Sequence, residues 1–199
     1  MARKVKKILT AKDLKKKGVP SILISGLVIA SIVGLASFNK IKNYYELKEL
    51  FPASTTVTQV EDGDTMILKN GLSLRLIGVD APDRGAKKYI EAKDELSKEV
   101  LNKKIYLEYD RYQDDKFSRV LAWVWIDCET TPQFLPADYM HKSDNESNPG
   151  LTENPKGCKK GKLVNEELVK KGFAEPVVYK DRGPTKFESR IKTSNGQHQ

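Results

Sequence analysis

Residues 55–79 read TTVTQVEDGDTMILKNGLSLRLIGV, and the reading of the fold begins with them. The β-branched run over 55–60 predicts a strand, and Asp62-Gly63-Asp64 reads as a tight acidic turn. A second strand follows over 65–69. Asn70-Gly71 is a strong two-residue hairpin signal, because the favoured turn needs a positive φ at both central positions. A third strand over 72–79 sets Leu74, Leu76 and Gly78 on one face and Arg75 and Ile77 on the other. Pro82 ends it.

Beyond this three-stranded unit the pattern changes period. Tyr89, Ala92, Leu96 and Val100 form an apolar stripe at helical spacing, which predicts a helix over 87–101. Residues 104–109 and 121–126 read as strands. Trp123 and Trp125 flank Val124, with one expected in the core and the other at the surface. A helix over 163–171 buries Leu163, Val164, Leu168 and Val169, and Gly172 is placed to cap its C-terminus. A short last helix is expected over 185–191 and a disordered tail over 193–199. The order is three strands, helix, two strands, helix, helix. It fits an α+β domain over 55–192, a five-stranded antiparallel OB-fold barrel with two to three helices packed outside.

The strands at 126 and 163 are separated by a polar stretch with Pro132, Pro136, Pro149 and Pro155, read as a loop insertion over 128–161. Cys128 and Cys158 sit at its ends and suit neither a zinc site nor a CxxC redox motif. Two readings stay open: unpaired thiols, or a disulfide that clamps the loop base and contributes about 3–4 kcal/mol for a loop of roughly 30 residues. Asn145-Glu146-Ser147 matches a glycosylation sequon, which matters only in a host that glycosylates. His141 and His198 have no ligand-like partners nearby, so zinc is not expected.

The formal net charge is +8. Residues 1–42 hold ten Lys/Arg against Asp13 alone, leaving 25 basic and 26 acidic residues in 43–199. The basic balance therefore belongs to the N-terminus, and any nucleic-acid binding must come from local placement of charge. Residues 18–39 carry no charge. At 1.5 Å per residue such a stretch spans a bilayer core of roughly 30 Å. Eight basic residues precede it, and the positive-inside bias puts a 1–17 segment in the cytoplasm. The remainder, with a 40–54 juxtamembrane stalk, then lies outside as part of a single-pass membrane protein. Two other readings remain. One is a cleaved signal peptide with Gly34-Leu35-Ala36 as its cleavage site, which gives a secreted protein; the other is a buried core helix.

Four pieces of the exported part carry chemistry: Asp62-Gly63-Asp64-Thr65, Arg75 with Asp80-Ala81-Pro82-Asp83, Lys116-Phe117-Ser118-Arg119, and Leu163-Val164-Asn165-Glu166-Glu167-Leu168. A hard divalent cation takes oxygen ligands, and guanidinium forks grip phosphate oxygens as charge builds in a transition state. Read from the residues alone, other assignments stand beside these. Asp62 and Asp64 serve equally as turn acids, and Arg75 and Arg119 could pair with Asp80 and Asp83 in a structural ion-pair network.

In order and spacing the four pieces resemble the staphylococcal nuclease (thermonuclease) family, over about residues 55–190. The resemblance implies a calcium-dependent phosphodiesterase acting on DNA and RNA, preferably single-stranded and without sequence preference. It implies Asp64, Asp80 and the carbonyl of Ala81 as Ca2+ ligands, and Arg75 and Arg119 as phosphate and transition-state contacts. Asp83 stands where the family carries its glutamate, the general base. Lys116, Phe117, Tyr179 and Lys180 match the nucleotide pocket, where stacking contributes about 1–3 kcal/mol per base.

Asp83 is one methylene shorter than glutamate, and Glu91 lies too far along its helix to substitute. Misplacement near 1 Å costs about a hundredfold in rate, so reduced activity is expected. A catalytically inactive module binding nucleic acid or protein at the membrane is the alternative. The chain is expected to be monomeric.

Overall fold

The computed structural model describes residues 12, 16–18, 20–111, 114–134, 148–179 and 183–195, without the side chains of 21–24, 26–27 and 43–50. His141, the 145–147 sequon, Lys180, His198 and most of the basic 1–17 segment lie outside the described residues. The chain forms two units, Met1–Glu49 and Leu50–Gln199.

Helix α1 (Ser21–Leu50) makes up most of the described part of the first unit. It starts directly after Pro20, where a missing N–H costs no intrahelical bond, and after Gly18 at φ 77°. With no proline before Pro52, it continues past 39 to Leu50, so 40–50 of the expected stalk is helical. Val28, Ile29, Ile32, Val33, Leu35 and Phe38 are exposed. Among the described residues no helix is long and apolar enough to cross a membrane, and a bilayer-spanning helix at 18–39 is therefore not shown.

The second unit contains β1 (Ser54–Val60), β2 (Thr65–Leu68), β3 (Ser73–Leu76), β4 (Val79–Asp80), α2 (Tyr89–Val100), β5 (Lys104–Glu108), β6 (Val120–Ile126), β7 (Lys162–Leu163), α3 (Val164–Lys170), β8 (Glu175–Pro176) and α4 (Glu188–Asn195). Strand β1 is irregular between Val57 and Gln59, so its first half pairs β5 and its second half β2. Such a bulge bends a strand and lets it serve both sides of a barrel. The closing pair is β3 with β6, Arg75 opposite Leu121, and it is parallel. The expectation of an all-antiparallel barrel is corrected here: five is an odd number, so strands of alternating direction cannot close on themselves.

Strand β3 stops at Leu76, three residues short of the expected end. Gly78 takes φ 76°, and a Cβ there would stand 2.5 Å from Cη2 of Trp123. Only glycine allows both the left-handed turn and the indole's approach. The chain therefore reverses. Ile77 becomes fully buried instead of sharing a face with Arg75, and Val79–Asp80 pairs with β8.

Every residue of β6 is buried, Trp123 and Trp125 alike, so the expectation of one surface tryptophan does not hold. Residues two apart on a strand share a face. Both rings meet the edge of Phe187, at centroid distances of 5.3 and 5.5 Å. Their indole N–H groups donate to Asp110 and Glu108, each at 2.9 Å. Glu108 also takes an ion pair from the buried Lys186 at 3.1 Å.

Helices α2, α3 and α4 pack on the barrel. Helix α4 runs to Asn195, with Ser194 buried and bonded to Glu166 at 2.9 Å, so ordered structure passes the expected start of the tail at 193. A disulfide joins Cys128 to Cys158 across the base of the insertion. The described ends of that loop face each other through a Gln133–Lys156 bridge. Asn154 ties the returning end to Arg190 of α4 at 2.8 Å.

Candidate active site

Asp64 ends the acidic turn and opens β2. Its amide donates to Asp62 Oδ1 at 3.2 Å, so Asp62 is the acid that caps the turn. Asp64 itself is only 2 % exposed and is the hub of the site. Oδ1 accepts Thr65 Oγ1 at 2.9 Å and Arg75 Nη1 at 2.6 Å, and Oδ2 accepts the Ala81 amide at 3.0 Å. Arg75 reaches it because Thr65 and Arg75 are partners across β2 and β3. Through Nη2 the same fork bonds Asp80, on the exposed end of β4. Burial pushes the Asp64 carboxyl up to about 6, against the Ala81 amide and the Arg75 charge, which favour the anion. For Arg75 burial acts against the charged form, but Asp64 and Asp80 outweigh it and its pKa is raised.

Arg119 enters from the far side of the same barrel wall. It lies two residues before Leu121, the parallel partner of Arg75. Its Nη1 donates to Thr65 Oγ1 at 3.4 Å. Its Nε and Nη2 bond Asp115 at 2.8 and 2.6 Å. A continuous path thus runs from Asp80 through Arg75, Asp64 and Thr65 to Arg119 and Asp115. The structural ion-pair reading of Arg75 is realised with Asp64 and Asp80. Arg119, in contrast, pairs with Asp115 rather than with Asp80 or Asp83.

Asp83 is not part of this path. It is exposed on the turn after β4, with no side-chain hydrogen bond among the described residues, and lines a cavity of about 350 Å³. Asp80, Ala81 and Lys88 share that cavity, and 172–175 form its opposite wall. Phe117 is 66 % exposed, with Lys116 Nζ and Arg119 Cζ over its ring at 4.9 and 5.3 Å. Tyr179 is half-buried, its hydroxyl accepting the Gly78 amide at 3.3 Å, which ties it to the turn between β3 and β4.

Among the described residues no group of three or more His, Cys, Asp or Glu side chains converges as a metal cage. The donor set nevertheless suits a hard cation. Asp64 and Asp80 already share one positive group, the Arg75 fork, and hard cations complete their shells with backbone oxygens and water. Thr65 and Asp115 are the two members of the cluster that the sequence reading did not single out for a role. The available signal was Asp115 four residues before Arg119, at the head of the polar Asp115-Lys116-Phe117-Ser118 turn.

A closed OB barrel that gathers two aspartates and two arginines where β2, β3 and β4 and the start of β6 meet defines a thermonuclease-type domain. The chain belongs to the family described as staphylococcal nuclease homologue, whose profile matches residues 73–197. It is 27 % identical over 187 residues to a thermonuclease of Staphylococcus hyicus, covering 89 % of each chain. It is also 41 % identical over 85 residues to a thermonuclease of Staphylococcus intermedius, covering 38 % of this chain and 51 % of that protein.

Proposed function

We propose that this chain is a membrane-anchored, calcium-dependent nuclease that hydrolyses phosphodiester bonds of DNA and RNA outside the cytoplasm. The observation that carries the reading is the unbroken hydrogen-bonded path from Asp80 to Arg119, which puts two carboxylates and two guanidinium groups in one cluster. Asp64, Asp80 and the Ala81 carbonyl would hold calcium, which supplies positive charge against the phosphodiester. Arg75 and Arg119 grip phosphate oxygens as charge builds on them. Asp83 takes the proton of the attacking water as the water oxygen bonds phosphorus; the bond to the 5′ oxygen breaks, that oxygen takes a proton from solvent to become a 5′-hydroxyl, and a 3′-phosphate is left. Phe117 offers an exposed ring for base stacking, and Lys116 beside it supplies charge for the backbone. Tyr179 and Lys180 complete the pocket by resemblance.

The anchor rests on the uncharged 18–39 stretch, the eight basic residues before it, and the exposure of apolar side chains along α1. A protein cleaved after Ala36 would be secreted instead.

A second reading, a module that binds nucleic acid without cutting it, is favoured by Asp83, which is short for its role and stands clear of both arginines' ion pairs. The full chain in detergent micelles, incubated with denatured DNA with calcium or a chelator, separates the two. Slow calcium-dependent cleavage that rises in Asp83→Glu supports the enzyme. Retained DNA binding with no cleavage in either form supports the module.

A further inference from the structure

The two arginines of the cluster are held in different ways. Arg75 spreads its fork over two carboxylates. Arg119 is gripped along one edge by a single one. Asp115 Oδ2 accepts Arg119 Nε at 2.8 Å and Nη2 at 2.6 Å. The other oxygen of Asp115, Oδ1, accepts the backbone amides of Phe117 at 2.9 Å and Arg119 at 3.0 Å.

The backbone closes the same turn. The Asp115 amide donates to the Arg119 carbonyl at 3.1 Å, and the Ser118 amide to the Asp115 carbonyl at 3.0 Å. Ser118 adopts φ 60° to complete it. The carboxylate therefore cannot swing away without opening the turn that carries Arg119. Burial works against its charge, but the hydrogen bonds from the Arg119 side chain and from two amides outweigh it, and the Asp115 carboxyl is held below the usual range.

A guanidinium has five N–H donors in a fixed plane. With Nε and Nη2 turned to Asp115, Nη1 is turned to Thr65, whose hydroxyl donates to Asp64. An unrestrained arginine would have to find this orientation anew at each turnover. A restrained one stands ready where charge develops.

We propose that Asp115 is a positioning residue of the nuclease centre: it holds the Nε–Nη2 edge of Arg119 against the 115–119 turn and thereby aims the Nη1 edge at the Asp64 side, toward a phosphate oxygen of the nucleic acid. This rests on the nuclease reading above. Asp115→Asn separates the two tasks of the carboxylate. The amide oxygen still accepts the backbone N–H groups of the turn, but the two-point grip on the guanidinium is lost. Asp115→Glu keeps a carboxylate for the guanidinium.

The full chain in detergent micelles is compared as wild type, Asp115→Asn and Asp115→Glu by three measurements. These are steady-state cleavage of denatured DNA, thermal unfolding, and 15N NMR of the Arg119 Nε–H group. In Asp115→Asn kcat should fall about 10- to 100-fold with KM and unfolding midpoint nearly unchanged. The Arg119 Nε–H signal, slow to exchange in wild type, should exchange fast. Asp115→Glu should recover most of kcat and the slow exchange. An Nε–H signal indifferent to Asp115→Asn, or a kcat loss that merely follows a lowered midpoint, overturns the proposal. If the wild type does not cleave, the nuclease reading fails, and the exchange measurement still decides whether Asp115 holds Arg119.

Discussion

Arg75 Nη1 lies 2.6 Å from Asp64 Oδ1, and the carboxylate it meets is almost wholly buried. A buried anion needs a partner, and among the described residues Arg75 is the one cation in direct contact with Asp64. The same guanidinium reaches Asp80, on a separate strand with its side chain largely in solvent. The cluster is thus asymmetric, with one buried and one open carboxylate joined by a shared fork.

Among the described residues, removing that fork leaves Asp64 with the Ala81 amide and the Thr65 hydroxyl. Arg75→Gln should lower stability by about 1–3 kcal/mol, toward the small end because Arg75 is itself partly exposed. Arg75→Lys should keep part of this, since a point charge serves one carboxylate but not both. Chemical denaturation of the three proteins measures the difference, and equal stability of wild type and Arg75→Gln would contradict it.

The raised Asp64 pKa gives stability a sign with pH. The folded state holds this proton more tightly than the unfolded chain does. The group's contribution is therefore full below about pH 4 and lost as pH rises through about 6, the value to which burial pushes Asp64. Without calcium, the stability of wild type relative to Asp64→Asn should fall by roughly 2–3 kcal/mol across that window. Calcium needs the anion, so its stabilising effect should be large at pH 7.5 and fade below pH 6. Thermal melts with chelator and with calcium test both statements; a wild-type pH slope identical to that of Asp64→Asn is the contrary result.

Much of this was legible in the order of elements. The β-branched run over 55–60, the alternation over 104–109 and the helical stripe through Ala92, Leu96 and Val100 are all short-range signals. What periodicity cannot carry is a change of direction forced by a distant partner. Leu72, Leu74 and Leu76 alternate and Ile77 and Val79 extend the apolar run, and only the indole of Trp123 against Gly78 shows why the strand ends at Leu76. The parallel β3–β6 closure is likewise a property of the closed sheet. In the cluster, the acids and arginines stood out in the sequence as candidates, whereas Asp115 read as one more charge in a polar run. Its role depends on a turn conformation, with Ser118 left-handed, that no residue type announces.

Gly78 sets a stability effect of its own. Gly78→Ala meets both a positive φ of 76° and the Trp123 ring. The strained backbone and the displaced indole together should cost roughly 2–4 kcal/mol. Urea unfolding of the variant, with tryptophan fluorescence as the probe, reads both the loss and the shift of Trp123.

The disulfide contributes through the unfolded chain. Cys128 and Cys158 are 30 positions apart in sequence, and closing such a loop should contribute about 3–4 kcal/mol through the unfolded chain. The Cys128→Ser/Cys158→Ser double variant should unfold earlier by that amount but keep its activity per folded molecule, since the described ends of the insertion contact α4 and not the cluster. An activity loss at temperatures where the variant is fully folded would show that the insertion reaches the centre.

In the proposed nuclease, Asp64, Asp80, Arg75 and Arg119 form one centre that holds a cation against a phosphate. Calorimetric titration of calcium into the full chain, with and without deoxythymidine 5′-phosphate, tests it most directly. One centre predicts that each ligand tightens the other by the same factor, and that this mutual effect disappears in Asp64→Asn and in Arg119→Ala. Calcium and nucleotide affinities that ignore each other in the wild type, or a coupling that survives Asp64→Asn, would contradict the account.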